Sequence, residues 1–262
     1  MFVAVIILSL LGFIFGISLA IVSKFLKIKV DEKLERICKI LPGANCGACG
    51  KAGCFGFAQA ILSRELSLDC CKVASNEAKV LIADILGIKF EKKVRLVAVV
   101  HCNGGCKVKD KFIYNGIEDC IYANLELGGQ KECFWGCLGF GTCVNACPFG
   151  AISMSAEKIP IIDTNKCTGC GKCVEICPKK LFSLVPVNYD VYVACNSFDV
   201  GKLTRKICPV GCIACGICTK VTNSTFYIKD NLAYIDYDKI KDEKMLYEAM
   251  SKCPVKCIVK RP

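Results

Sequence analysis

The sequence predicts an α+β chain of several domains, and three observations predict it. First, the 262 residues include 24 cysteines, far above ordinary cytosolic usage, and many stand in C-x2-C spacing beside glycine. Second, Cys167, Cys170, Cys173 and Cys177-Pro178 form the run C-x2-C-x2-C-x3-C-P, the bacterial ferredoxin spacing for [4Fe-4S] binding. Third, residues 1–23 contain no charged side chain, and about 20 apolar residues cross a bilayer core. Together these give an N-terminal transmembrane helix, a small helical 4Fe-4S domain, then tandem bacterial-ferredoxin-like units of which the second is degenerate. The expected boundaries are 1–26 for the anchor, 27–90 for the N-terminal 4Fe-4S domain and 91–132 for a connecting Cys-containing segment. A two-cluster ferredoxin-like domain follows at 133–187, and a degenerate one with a single cluster at 188–262.

The anchor is followed by Lys24, Lys27 and Lys29. The positive-inside rule then puts the bulk of the chain in the cytoplasm of a single-pass protein of the inner membrane. A secretory signal would carry basic residues before a shorter apolar core and end in a small-residue cleavage site, and neither is present. The formal charge is +11, but it counts every cysteine as neutral, and clusters held by four thiolates would cancel much of it. With one Trp and no recognition-helix or aromatic-rich basic pattern, no nucleic acid partner is expected. Cysteines paired for clusters must stay reduced, which again suits the cytoplasm.

Asp31 to Ile40 reads as an amphipathic helix. The glycine-rich loop Cys46-x2-Cys49-x4-Cys54 follows, with Cys71 as its natural fourth ligand and Cys70 as the nearest competitor. Helical spacing continues over Phe55 to Leu66 and Ser75 to Leu86, the latter stopped by Gly87. Val94 to Val100 reads as a buried strand. It leads to His101 and Cys102, then Cys106, Cys120 and Cys133. His101, the single histidine, is expected as a hydrogen-bonding neighbour rather than a ligand.

The second half contains an internal repeat: Cys133, Cys137 and Cys143 align with Cys208, Cys212 and Cys218, with Phe140 opposite Cys215 and Thr222 opposite Cys147. In two-cluster ferredoxins the fourth cysteine of each run ligates the other cluster. Cys147 should therefore join Cys167, Cys170 and Cys173, and Cys177 should join Cys137 and Cys143. Phe140 leaves a vacancy in the second set. Cys133 is the simplest replacement, although a further cluster from Cys102, Cys106, Cys120 and Cys133 competes for it. In the last unit Cys212, Cys215, Cys218 and Cys253 complete one cluster. The other is lost, because Thr222, Ile240, Glu243 and Leu246 fill its four ligand positions. This predicts at least four [4Fe-4S] clusters and a fifth from the Cys102–Cys133 region. Cys38, Cys195, Cys208 and Cys257 have no clear partner set.

With the anchor, the Leu41-Pro-Gly-Ala-Asn-Cys46 loop and the Gly136-Cys137-Leu-Gly-Phe-Gly-Thr-Cys143 segment in place, the whole chain resembles the B subunit of the Rnf complex in its longer, polyferredoxin-like form. Two features depart from that pattern: Lys72-Val73 after Cys71, and the lost cluster. The resemblance implies an electron-transfer subunit of an ion-translocating oxidoreductase. Such a subunit receives electrons from reduced ferredoxin and sits among other membrane and peripheral subunits, in a complex that moves sodium or protons. No nucleotide-binding GxGxxG is present and the anchor holds no ionisable residue, so the chain has no bond-making catalytic site of its own. The alternatives are a cluster subunit of another membrane redox complex, such as a hydrogenase, and a zinc-binding structural protein.

Overall fold

The computed structural model describes residues 2–25 and 31–261. Helix α1 (Phe2–Phe25) runs 24 residues with Lys24 in its last turn. At 1.5 Å per residue it is about 36 Å long, enough to cross a hydrocarbon core of about 30 Å. Its leucines and isoleucines, with Phe2, Phe13 and Phe15, are exposed, and none of its hydrophobic window is buried among the described residues. Ser18 and Ser23 donate their hydroxyls to the carbonyls of Ile14 and Ala20, so neither presents an unpaired polar group to lipid. Lys27 and Lys29, on which the orientation expectation also rests, lie outside the described residues.

Three helices then build a small core. In α2 (Glu32–Ile40) the Asp31 carboxylate accepts from the Lys33 amide, and Leu34 and Ile37 are buried. Helix α3 (Cys54–Leu62) is shorter than the apolar spacing suggests. Arg64 adopts a left-handed φ of 59°, and the amides of Glu65 and Leu66 both return to the Ala60 carbonyl, which ends the helix. Helix α4 (Asn76–Leu86) is capped by Ser75 and stopped by Gly87 at φ 65°, as expected. Leu34, Ile37, Phe57, Ile61, Leu68 and Ile82 form the apolar centre.

The rest of the chain consists of two units of matching plan. Unit I contains β1 (Leu96–Val100), α5 (Cys120–Leu125), α6 (Thr142–Asn145), β2 (Ile152–Met154), β3 (Pro160–Ile162), α7 (Lys172–Ile176) and β4 (Phe182–Pro186). Unit II contains β5 (Val191–Val193), α8 (Gly201–Ile207), α9 (Ile217–Val221), β6 (Phe226–Lys229), β7 (Leu232–Ile235), α10 (Lys244–Lys252) and β8 (Ile258–Lys260). In each, an inner hairpin (β2–β3, β6–β7) is accompanied by an antiparallel pairing of the first strand with the last. These outer pairs are β1 with β4, Leu96 opposite Pro186, and β5 with β8, Val191 opposite Lys260. The residue after each first strand repeats the same bond: His101 N–H donates to Leu181 O and Ala194 N–H to Cys257 O, both at 2.7 Å.

Within residues 91–132, expected as a connecting Cys-containing segment, β1 falls where a buried strand was expected, and its pairing with β4 ties that strand to unit I. The repeat begins at that strand rather than at Cys133. It is masked in sequence because 30 residues separate Cys102 from Cys133 whereas 12 separate Cys195 from Cys208.

Candidate iron–sulfur sites

In the N-terminal domain, Cys46 and Cys49 sit on a loop whose Gly47 and Gly50 have positive φ. Cys54 opens α3, its amide donating to Asn45 Oδ1 at 2.8 Å. A Cβ on Gly53 would stand 2.7 Å from that same oxygen, so only glycine leaves the cap intact. Cys71 is buried close to Cys49, whereas Cys70 and Cys38 are half-buried. Cys38 lies near Cys54.

In unit I, Cys147, Cys167, Cys170 and Cys173 line one cavity of about 330 Å³ together with Ala98 and Leu184. Main-chain amides aim at the sulfurs: Ala151 N–H at Cys147 and Ala98 N–H at Cys167, each 3.4 Å. Gly169 is needed for two reasons. Its φ is 68°, and a Cβ there would meet the Leu96 carbonyl at 2.5 Å. The Thr168 hydroxyl, on the same wall, is buried with no partner, and a cluster sulfide would accept from it.

Cys137, Cys143 and Cys177 form the second set of unit I, and Cys120 lies in the field of all three. Local bonds place it there. The Cys120 amide donates to Thr142 Oγ1, and that hydroxyl donates to Asp119 Oδ2, both at 2.8 Å. This ties the start of α5 to the start of α6 beside Cys143. Phe140 packs on Tyr114, and the thiol the structure brings beside this set is Cys120, whereas Cys133 lies at the boundary between the units.

The expected grouping of Cys102, Cys106, Cys120 and Cys133 is not brought together. Cys106 is exposed on a short turn and Cys120 joins the Cys143 set. Cys102 and Cys133 instead line a cavity between the units with Cys195 and Cys208, because the β1–β4 pairing carries Cys102 to that boundary. His101 has both ring nitrogens engaged, with Val193 O at 2.7 Å and Ser183 Oγ at 2.6 Å. Burial holds its imidazole below the ordinary pKa. It fastens unit I to unit II, as a hydrogen-bonding neighbour should.

In unit II, Cys212, Cys215, Cys218, Cys253 and also Cys257 line a cavity of about 330 Å³. Cys253 Sγ is 3.6 Å from Cys257 Sγ. Hydrogen bonds to Cys212 and Cys253, then burial, keep the Cys257 thiol protonated, and the bond from Cys257 lowers Cys253 to about 5. Where unit I has its Cys147 set, unit II is filled: Thr222 and Leu246 are 1% exposed, and Ile240 packs against the same core.

These sets fit iron–sulfur clusters on three grounds. Burial pushes Cys143 and Cys173 up to about 12 and Cys218 to about 11, and a cation beside them would favour their thiolates. The sulfurs surround cavities, and among the described residues no three His, Cys, Asp or Glu side chains converge on a single ion. Amides point at the cysteine sulfurs, and the unpaired Thr168 hydroxyl stands where a cluster sulfur would accept.

Comparison with known proteins agrees with this layout. An Fe-S cluster family matches residues 41–73, a 4Fe-4S dicluster domain matches 133–182, and a 4Fe-4S single cluster domain of Ferredoxin I matches 207–259. The chain is 42% identical, over 96% of its length and 75% of the relative, to the B subunit of the Na(+)-translocating ferredoxin:NAD(+) oxidoreductase complex of Acetobacterium woodii. It is 39% identical, over 97% and 90%, to the B subunit of the proton-translocating ferredoxin:NAD(+) oxidoreductase complex of Clostridium ljungdahlii. The B subunit of an ion-translocating oxidoreductase complex of Methanosarcina acetivorans is 38% identical over 89% of both chains. The chain belongs to the B-subunit family of ion-translocating oxidoreductase complexes. Within this family member, the dicluster and single-cluster matches fall on unit I and unit II, in step with their cysteine content.

Proposed function

We propose that this subunit accepts electrons from reduced ferredoxin and relays them inside a membrane ferredoxin:NAD oxidoreductase whose turnover moves sodium or protons. Bound [4Fe-4S] clusters supply one-electron carriers. The chain's own part is to hold them, exclude water and set their spacing. In this reading Cys46, Cys49, Cys54 and Cys71 hold the first, and Cys147, Cys167, Cys170 and Cys173 the second. Cys120, Cys137, Cys143 and Cys177 hold the third, and Cys212, Cys215, Cys218 and Cys253 another. Residues from 24 onward face the cytoplasm, and α1 docks the chain in the bilayer among its partner subunits.

The observation that carries the relay is that successive sets adjoin one another. Cys46 lies in the field of Cys170, and Cys143 in that of Cys173. Thiols from separate domains are thus arranged in series rather than scattered. The names of the A. woodii and C. ljungdahlii relatives support the electron donor and acceptor. Those two names differ in the ion, so the coupling ion belongs to the complex as a whole.

The test is anaerobic purification of the full chain in detergent and titration with chemically reduced ferredoxin. Iron of at least about 16 atoms per chain (four per cubane) and EPR signals that appear with reduced ferredoxin are expected. Signals that appear with dithionite but never with reduced ferredoxin would overturn the donor assignment. Stoichiometric zinc in place of iron would overturn the reading itself.

A further inference from the structure

A cavity lies at the boundary between the units, walled by residues of both. Five cysteines line it; Cys137 belongs to the Cys143 set, and no spacing motif contains the other four. We infer that Cys102, Cys133, Cys195 and Cys208 hold a further [4Fe-4S] cluster shared by the two units, an assignment that rests on reading the chain as a cluster carrier.

The first ground is symmetry. Each unit contributes the same two positions: the cysteine just after the first outer strand (Cys102, Cys195) and the one four residues before the first ligand of its own set (Cys133, Cys208). The local bonds repeat as well. Cys137 N–H points at Cys102 Sγ at 3.4 Å, and Cys212 N–H at Cys195 Sγ at 3.2 Å. Gly136 N–H donates to Cys133 O at 3.1 Å and Gly211 N–H to Cys208 O at 3.2 Å. Ser197 N–H adds a further donor to Cys195 Sγ at 3.5 Å. Amides aimed at sulfur stabilise thiolates, which is what iron ligation requires.

The second ground is the space itself. Gly104 has an ordinary φ of −74°, so its backbone does not demand glycine. A Cβ there would press on Val108 at 2.9 Å and approach Cys208 Sγ at 3.4 Å and Cys102 Sγ at 3.9 Å. Glycine keeps the cradle open. The third ground is an orphan donor. Trp135 lines this cavity, and its indole N–H is buried without a partner, an arrangement native proteins seldom leave unanswered. A cluster sulfide provides the acceptor. Lys131, buried on the same wall and tied to Asp110 at 2.9 Å, adds a positive charge beside an anionic core.

Disulfides do not account for the group, since all four thiols are free, nor do they converge as ligands of one zinc ion would. Each thiol gives up its proton as its Fe–S bond forms. Through the amide contacts of Cys137 and Cys212, the shared set lies between the Cys143 set of unit I and the Cys218 set of unit II. It is therefore the link that keeps the last set in series with the others.

The experiment uses the full chain, purified anaerobically with its clusters and read by iron and sulfide content and by EPR. Wild type should carry about 20 iron atoms, against about 16 without the shared site (four per cubane). Cys195→Ser and Cys208→Ser should each lose about a fifth of the iron, while Cys106→Ser loses none. Trp135→Phe should keep the iron but lower the reduction potential of one signal, since hydrogen bonds to sulfur raise it. Unchanged iron and EPR in the Cys195→Ser/Cys208→Ser double variant would overturn the assignment, as would zinc bound at this site. If those variants fail to accumulate, a wild-type content of about 16 overturns it and about 20 upholds it. A chain without iron would defeat the proposed function as well, so the two failures are distinguishable.

Discussion

Units I and II share one backbone plan, and the contrast that matters most lies in the pocket lined by the Cys147 set in unit I. There Ala151 N–H donates to Cys147 Sγ at 3.4 Å; in unit II the amide four residues beyond Thr222, that of Phe226, donates to Thr222 Oγ1 at 3.1 Å. The donor survives and the acceptor has changed from sulfur to oxygen. Opposite it, the five-residue α7 and its cysteine loop give way to the nine-residue α10, which packs Leu246 and Ala249 inward against α9. The glycines have gone too: Gly169 and Gly171, both at positive φ, stand opposite Asp242 and Lys244. In domains this small, a cluster serves as part of the core, and a helix with two buried apolar side chains fills the same space. Unit II thus differs in the wall of the pocket as well as at the ligand positions.

Several substitutions would break or sharpen that contrast. The largest effect is expected from Cys147→Ser, which should remove about four iron atoms and loosen unit I. Hydrogen exchange should show β2 and β3 opening while β6 and β7 stay protected. Equal loosening of both hairpins would mean that the units do not depend on their fillings separately. Cys253→Ser should also release about four irons, whereas Cys257→Ser should release none; the reverse pattern would transfer the ligand role to Cys257. Leu246→Ala should leave iron untouched yet destabilise unit II by about 2–5 kcal/mol, the usual range for emptying a buried leucine site. Iron loss in this variant would show that the helix supports the remaining set directly. Thr222→Val should be milder, about 1–3 kcal/mol, because it strands the buried Phe226 amide. A neutral result would remove the hydroxyl from the account of how the pocket was refilled.

What the sequence revealed follows the range of the contacts. Cys167, Cys170 and Cys173 are legible because a loop with two-residue spacing presents its sulfurs to one centre without help from elsewhere. The α4 cap and stop, Ser75 and Gly87, are local for the same reason. The groupings of Cys120, Cys195 and Cys208 were not legible, because each acquires neighbours only through distant parts of the chain. Cys195 depends on the pairing of β5 with β8, strands of three residues too short to register as a pattern. Cys120 depends on an Asp119–Thr142 bridge that spans 23 residues. The doublet Cys133 and Cys208 was visible as a repeat, yet its counterpart Cys102 and Cys195 was hidden by loops of unequal length. The one signal that could have found it is the apolar run before each, Leu96–Val100 and Val191–Val193.

The outer strand pairing also dictates a timetable for biogenesis. β1 finds no partner until β4 is made, so unit I stays open until residue 186 has left the ribosome. Cys102 waits longer still, for Cys195 and Cys208. At about 5–20 residues per second, the stretch from Cys102 to Cys208 takes roughly 5–20 s to synthesise. Throughout that interval, thiols destined for iron stand open to oxidants. The N-terminal set, complete by Cys71, can be loaded while the ribosome is still working, whereas the shared set can be loaded only after both units exist.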